Sequence, residues 1–332
     1  RQIMTCVNLI AVKAYGEFEF WFAIIKVVTI IAIIVLGLLM IIFGFGNGGK
    51  PIGISNLWTH GGFFPKGGWG PMLAVTMVMF AYLGTELIGV TAGEAKNPEK
   101  TIPSAINKVL WRILIFYVGA LFVIMSLYPW NTLGTTGSPF VLTFSKLGVS
   151  AAAGIINFVV LTAALSSCNS GIFSTGRMLY NLSLQGTAPK KFSKLGKTHV
   201  PATGILISAF FMLIGVVLNF LVPGKVFTYI TSVATLGAIW TWGIILIAQM
   251  KFRKRLTPEE IKKLHFPMFG YPYLNWIVLA FLAFVIVMLA FSPDTRIALI
   301  VGCFWFLLIL AFYFILGLNK KTSNPTKSEP EE

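Results

Sequence analysis

Residues 71–98 read PMLAVTMVMFAYLGTELIGVTAGEAKNP, and the rest of the chain is understood from this stretch outward. From Met72 to Gly93 the run is long and apolar enough to cross a bilayer as a helix. Its middle nevertheless carries Gly84-Thr85-Glu86. An acid at mid-membrane costs about 3 kcal/mol on insertion scales and by default marks a functional site. A glycine beside it lets the helix unwind, which is tolerated only where the backbone is buried in protein or lines a cavity. Broken helices with open ends at the midplane are a recurrent way of building solute sites. A purely structural reading stands beside this one. Glu86 would then pair with another polar helix, and Gly84, Gly89 and Gly93 would be close-packing positions, the last two at GxxxG spacing.

Composition sets the class. Of 332 residues, 56% are hydrophobic and 11% charged, with a mean hydropathy of +0.82. Soluble domains carry about 25% charged residues, so this is an integral membrane protein. The apolar runs suit helices; barrel strands need only about 10 alternating residues. A net charge of +15 raises the question of nucleic acid. The cations sit in short loops between spans, as the positive-inside rule expects, and no nucleic-acid partner is implied. Cys6, Cys168 and Cys303 are scattered in apolar contexts, and His60, His199 and His265 fall in predicted loops, so no metal or disulfide spacing appears. There is no GxxxxGK[ST], no HExxH and no nucleophile elbow. No enzyme chemistry and no cofactor is expected.

Taken in order, residues 1–12 are too short to span, and 13–19 read as a polar connection. Eight spans are expected, at 20–45, 72–93, 109–130, 147–176, 200–224, 226–250, 266–293 and 297–319. The segments 46–70, 94–108, 131–146, 177–199 and 251–265 read as loops. Residues 1–319 are taken as one transmembrane domain and 320–332 as a disordered cytoplasmic tail. If 13–19 faces the cytoplasm, loops on that side hold 19 Lys and Arg and the opposite loops hold 5. That asymmetry predicts a cytoplasmic C-terminus and an outside-to-inside direction for the Glu86 helix. The chain begins with Arg1, shows no signal peptide and reads as the middle of something longer.

Four places hold candidate chemistry. Burial favours the neutral form of a carboxyl, so an acid placed like Glu86 can carry a proton, pair with an ammonium or hold nearby backbone. Lys26, about two turns into the first span, either snorkels to the interface or serves as an internal cation. Phe80, six residues before Glu86, is either an aromatic lid or one of 29 packing phenylalanines. Ser166, Ser167, Asn169 and Ser170 interrupt an uncharged span, as glue between helices or as the wall of a polar cavity.

These stretches resemble the amino acid permeases of the amino acid–polyamine–organocation superfamily, in its bacterial amino acid transporter family. The likeness is carried by GEFEFWFAIIKVVTII at 16–31, FAYLGTELIGVTAGEAKNPEKTIPSAIN at 80–107, INFVVLTAALSSCNSGIFSTGRMLYNL at 156–182 and GTAPKKFSKLGKTHVPATG at 186–204. RILIFYVGALFVIMSLYPW at 112–130, followed by SPFV, is most similar to D-serine/D-alanine/glycine permeases; proline, GABA and aromatic amino acid permeases are also similar.

The resemblance implies an all-α leucine-transporter-like fold of inverted repeats. Helices 5–12 of the family's twelve would be present here, with helices 1–3 and most of 4 missing. It implies proton-coupled symport of a small neutral amino acid by alternating access in a cytoplasmic membrane, with the amino acid, protons and the lipid bilayer as partners. By the same likeness, Phe80 falls at an aromatic gate. Ala81, Gly84, Thr85 and Glu86 fall on the unwound helix that receives the substrate amino group. Asn169 and Ser170 lie near the site on helix 8, and Glu86 and Lys26 fall on proton-coupling positions. Two rivals are a non-transporting fragment or accessory membrane protein, and a carrier of other solutes such as polyamines. A single deep acid disfavours polycations.

Overall fold

The computed structural model describes residues 12–90, 97–133, 139–146, 152–196, 200–221, 226–264, 266–291, 293–315 and 317. Among them there is no strand. The helices are α1 (Val12–Phe43), α2 (Trp69–Ala81), α3 (Leu87–Val90), α4 (Pro98–Arg112), α5 (Ala120–Leu127) and α6 (Pro139–Lys146). They continue with α7 (Ala152–Leu184), α8 (Ala202–Leu221), α9 (Val226–Arg255), α10 (Pro258–Lys262), α11 (Tyr273–Phe291) and α12 (Pro293–Ile315). A π-helical segment, Ile113–Gly119, joins α4 to α5. Seven helices among the described residues are long and apolar enough to cross a membrane. The expected span at 72–93 is not one of them, because it is broken. Residues 1–11 and the tail expected at 320–332 lie outside the described residues.

The helices outrun the hydropathy boundaries. Residues 13–19, read as a connection, are the first turns of α1. The loop expected at 94–108 is helical from Pro98 onward. The Asn97 carbonyl accepts from the Lys100 and Thr101 amides, at 3.2 and 2.9 Å. Pro98 therefore sits at the first helical position, where its missing N–H costs nothing, and Glu99 favours the positive helix end. The predicted loops at 131–146 and 177–199 likewise give up α6 and the end of α7 to helix. Hydropathy marks where a helix enters hydrocarbon, not where its hydrogen-bond ladder ends. After α9, the predicted loop at 251–265 holds a capping box, with the Thr257 hydroxyl accepting from Glu260 N–H. The Thr257 backbone N–H, and then its hydroxyl, hold the Glu260 carboxyl below the usual glutamate range. This cap is fully formed above that range and is lost as pH falls through the lowered value.

The chain forms two compact units, one from residues 1–66 and 107–212, the other from 67–106 and 213–332. In the first, Met40 and Ile41 of α1 pack with Val123 and Leu127 of α5. A second cluster joins Phe22 to Leu165 and Ile172 of α7, and to Val200 and Ile205. The glycine- and aromatic-rich segment after α1 is tied down by two bonds. Asn56 donates to Ser126 O and the Trp130 indole donates to His60 O, both at 2.8 Å. In the second unit, Met79 of α2, Leu236 and Ile239 of α9, and Leu282, Val285 and Leu289 of α11 make one core. Large apolar side chains such as Phe220 face outward, as a lipid solvent allows. Buried hydroxyls bond back to their own helix: Ser126 to Phe122 O, Ser232 to Thr228 O and Thr235 to Thr231 O. That satisfies polar groups where no water is available.

The crossing of α7 and α8 depends on two glycines. A Cβ on Gly204 would lie 3.0 Å from Gly176 Cα and 3.0 Å from Gly176 O, both backbone atoms that cannot swing away. Gly204→Val is therefore expected to destabilise the protein by about 1–3 kcal/mol, the range for overpacking a tight contact. A melting curve in detergent checks this; an unchanged midpoint would contradict the close approach.

Candidate functional site

The helix unwinds from Tyr82 to Glu86. After Ala81, residues Tyr82–Glu86 form successive turns before α3 begins at Leu87. The bonds are of the three-residue kind: Tyr82 N–H to Met79 O, Leu83 N–H to Phe80 O, Thr85 N–H to Tyr82 O and Leu87 N–H to Gly84 O, at 3.2–3.3 Å. Such bonds have poorer geometry than the α-helical ladder and engage the carbonyls of the break less fully. Gly84 has φ +98°, a conformation that side chains with a Cβ rarely adopt.

Glu86 closes this break from within. Its two carboxylate oxygens accept from the Gly84 amide at 3.2 and 3.1 Å. The Trp242 indole of α9 donates to Oε2 at 3.1 Å. The acid thus satisfies an amide that the missing helical turn has released, and it is anchored to the core by a tryptophan that packs there. Phe80, the last aromatic of α2, meets Phe227 of α9 edge to face, with ring centroids 6.4 Å apart. Ala81 and Thr85 are exposed, and Gly84 and Glu86 half-buried.

A second polar cluster lies in the first unit. The Lys26 ammonium donates to Ser166 Oγ at 2.7 Å. The Ser166 hydroxyl in turn donates, in a short bond, to Glu19 Oε1. Asn169 Nδ2 reaches Glu19 Oε2 at 3.5 Å. Lys26 Nζ and Glu19 Oε1 are 4.0 Å apart. Ser166 and Asn169 are fully buried, and Ser170, next on α7, is half-buried.

Of the residues singled out from the sequence, the structure brings Gly84 and Glu86 together in one unit, with Phe80 and Ala81 on the same broken helix. It brings Lys26 and Asn169 together in the other unit, around Glu19. Two participants escape the sequence reading. Glu19 falls in the predicted connection, although its seven-residue distance from Lys26 puts both on one face of a helix two turns apart. Trp242 leaves no signal, since a tryptophan inside an apolar span does not announce that its N–H has a partner.

The family model for amino acid permeases matches residues 2–326. The chain belongs to the amino acid permease family. An uncharacterized amino acid permease of Bacillus subtilis (strain 168) is 62% identical over 97% of the chain and 69% of its own length. A probable threonine/serine transporter of the same organism is 52% identical over 98% of the chain and 71% of its length. An amino-acid permease from that organism is 51% identical over 94% of the chain and 67% of its length. These relatives are permeases and transporters, not enzymes, and their names do not single out D-serine, D-alanine or glycine. The permease is accordingly a multi-pass membrane protein for amino acid transport, and the break at Gly84-Thr85-Glu86 is its leading candidate site.

Proposed function

We propose that this permease moves a small neutral amino acid together with a proton, by alternating access, across a cytoplasmic membrane in which its C-terminus faces the cytosol. The observation that carries the reading is Glu86, an acid held inside a broken membrane helix by Gly84 and Trp242. The backbone carbonyls of the break, which accept in three-residue turns, suit an ammonium group. Phe80 beside them suits a lid over a cation. Loading a proton onto Glu86 would remove its charge and weaken its hold on the Gly84 amide and the Trp242 indole. The turns of the break would then relax as the helix rocks. Asn169 and Ser170 supply polar groups on α7, and Lys26 supplies a second titratable group.

The substrate class rests on the RILIFYVGALFVIMSLYPW segment, which resembles carriers of glycine and small D-amino acids. A relative described as a probable threonine/serine transporter supports the same size range. The test uses protein expressed from its complete gene and reconstituted in proteoliposomes. Labelled glycine uptake under an inward proton gradient is challenged with unlabelled amino acids. Glycine, D-alanine, D- and L-serine and threonine are expected to compete; proline, GABA, aromatic amino acids and putrescine are not. Competition by the second group alone would replace the substrate class. Absence of any uptake, for every labelled amino acid in the panel, would favour an accessory protein.

A further inference from the structure

Helices α9 and α11 are both long and apolar enough to cross a membrane, and they belong to the same compact unit. α9 ends at Arg255 and α11 begins at Tyr273, so the short segment between them lies at one membrane surface. From Lys251 to Lys263 the chain carries six Lys and Arg against two Glu. The positive-inside rule accounts for an excess of cations in such a loop, but it asks nothing of their placement. Here the placement is fixed. Arg253 donates to Met268 O at 3.2 Å, and its guanidinium carbon lies 4.4 Å from the centre of the Tyr271 ring. One turn earlier on α9, Gln249 Oε1 accepts from the buried Asn275 amide of α11 at 2.9 Å. These ties hold residues 268–275 against the last turns of α9.

Arg253 is thereby engaged within the protein. Lys251, Lys254 and Arg255 stand at three- and four-residue spacing, on the helix face turned away from it. These three are exposed, as are Lys262 and Lys263 at the end of α10. Among the described residues, none of the five has a hydrogen bond or an ion pair. The Glu260 carboxylate is turned to its own helix start, where it accepts from the Thr257 N–H at 2.8 Å and the Thr257 hydroxyl at 2.9 Å. Aromatic side chains stand open beside the cations. Phe269, next to the Met268 that Arg253 holds, is 88% exposed, and Tyr273 in the first turn of α11 is 77% exposed. At a bilayer surface, cations attract anionic lipid and amphipathic aromatic rings sit at headgroup level.

We propose that residues 251–276 form a binding surface for anionic phospholipid. The five unpaired cations meet headgroup phosphates, and the neighbouring aromatics seat themselves at the boundary between headgroups and acyl chains. A free phosphate would be met by the cations alone and would leave Phe269 and Tyr273 in water. A phospholipid uses both sets of side chains, which selects it over a plain anion. Each Lys or Arg near an anionic lipid surface strengthens the attraction about fivefold. A segment already tied to α9 by Arg253 and Asn275 loses little freedom on binding, so that attraction is retained. Binding of this kind does not depend on the substrate or on proton coupling, and the break at Gly84 takes no part in it.

The test uses protein from the complete gene, purified in a neutral detergent and melted with added phosphatidylglycerol or with phosphatidylcholine of the same acyl chains. The midpoint is expected to rise by a few degrees more with phosphatidylglycerol. In Lys251→Gln/Lys254→Gln/Arg255→Gln that difference is expected to vanish. Lys190→Gln/Lys191→Gln/Lys194→Gln neutralises three exposed cations of another loop and is expected to keep it. Equal rises with the two lipids in the wild type overturn the proposal. So does a difference that survives in the first variant, or one that is lost in both variants alike. A rise of the same size from inorganic phosphate identifies a plain anion site and overturns it too. Should either variant not fold, photo-crosslinking of the wild type decides. A phosphatidylglycerol with a photoactivatable group near its phosphate is expected to label residues 251–276 several times more strongly than the matching phosphatidylcholine. Equal labelling there by the two probes overturns the proposal.

Discussion

Glu86→Gln is expected to abolish uphill uptake. A pH gradient of one unit supplies about 1.4 kcal/mol per proton, which sustains about tenfold accumulation in one-to-one symport. The variant should bring that ratio to one. The reasoning is local. A glutamine at this place stands for the proton-loaded acid: it is neutral and still offers an oxygen to the Gly84 amide and the Trp242 indole, so the loaded form of the break can form. What it loses is the ability to bind and release a proton. Counterflow of labelled against unlabelled substrate at equal pH should therefore remain measurable while accumulation disappears. Accumulation at the wild-type level in the Glu86→Gln protein would remove Glu86 from the coupling mechanism.

Gly84→Val is expected to have a broader effect, losing counterflow and accumulation together. At φ +98° a β-branched residue is strained by about 1–3 kcal/mol. The backbone relieves that strain by leaving the left-handed region, which draws the turns of Tyr82–Glu86 toward regular helix. The Gly84 amide then no longer meets the Glu86 carboxylate, and the carbonyls of the break are drawn into four-residue helical bonds. Binding and coupling should fail at once, with rates more than about tenfold below wild type. Gly84→Ala should fall between the two proteins. A Gly84→Val protein that exchanges substrate normally would show that the break is not where substrate is held.

The contrast between these variants reflects what is legible in the sequence. The break is readable because glycine and an acid are each costly inside a membrane helix, and they occur together at 84–86. The start of α4 is also written in the chain, as Asn97-Pro98-Glu99, a capping residue followed by a proline at the first helical position. Read only as breakers, those residues point to a loop. Charge along 13–19 has the same effect and hides Glu19, although helices continue past the hydrocarbon edge whenever their backbone bonds are satisfied.

Other features have no local signature. The partnership of Glu86 with Trp242 spans 156 positions and depends on how α9 lies against the broken helix. The bridge from Ser166 to Glu19 and Lys26 spans 147 and 140 positions. A polar run such as SSCNSG reveals that α7 has something to bond to, and not what. The contact of Gly176 with Gly204 is hidden likewise, since glycine is common in membrane helices for several reasons. The division into two compact units, each with its own polar cluster, leaves no trace in hydropathy because lipid-facing and core-facing residues are both apolar.

The most direct test of a proton-driven permease built around Glu86 is a driving-force measurement on the wild-type protein. Protein from the complete gene is reconstituted in proteoliposomes, and labelled glycine or D-alanine is followed with either an inward proton gradient or an inward sodium gradient. Accumulation is expected with the proton gradient in sodium-free buffer, and it should collapse on adding a protonophore. Accumulation that requires sodium and ignores the pH gradient would contradict the account, leaving Glu86 as a structural clasp for the broken helix.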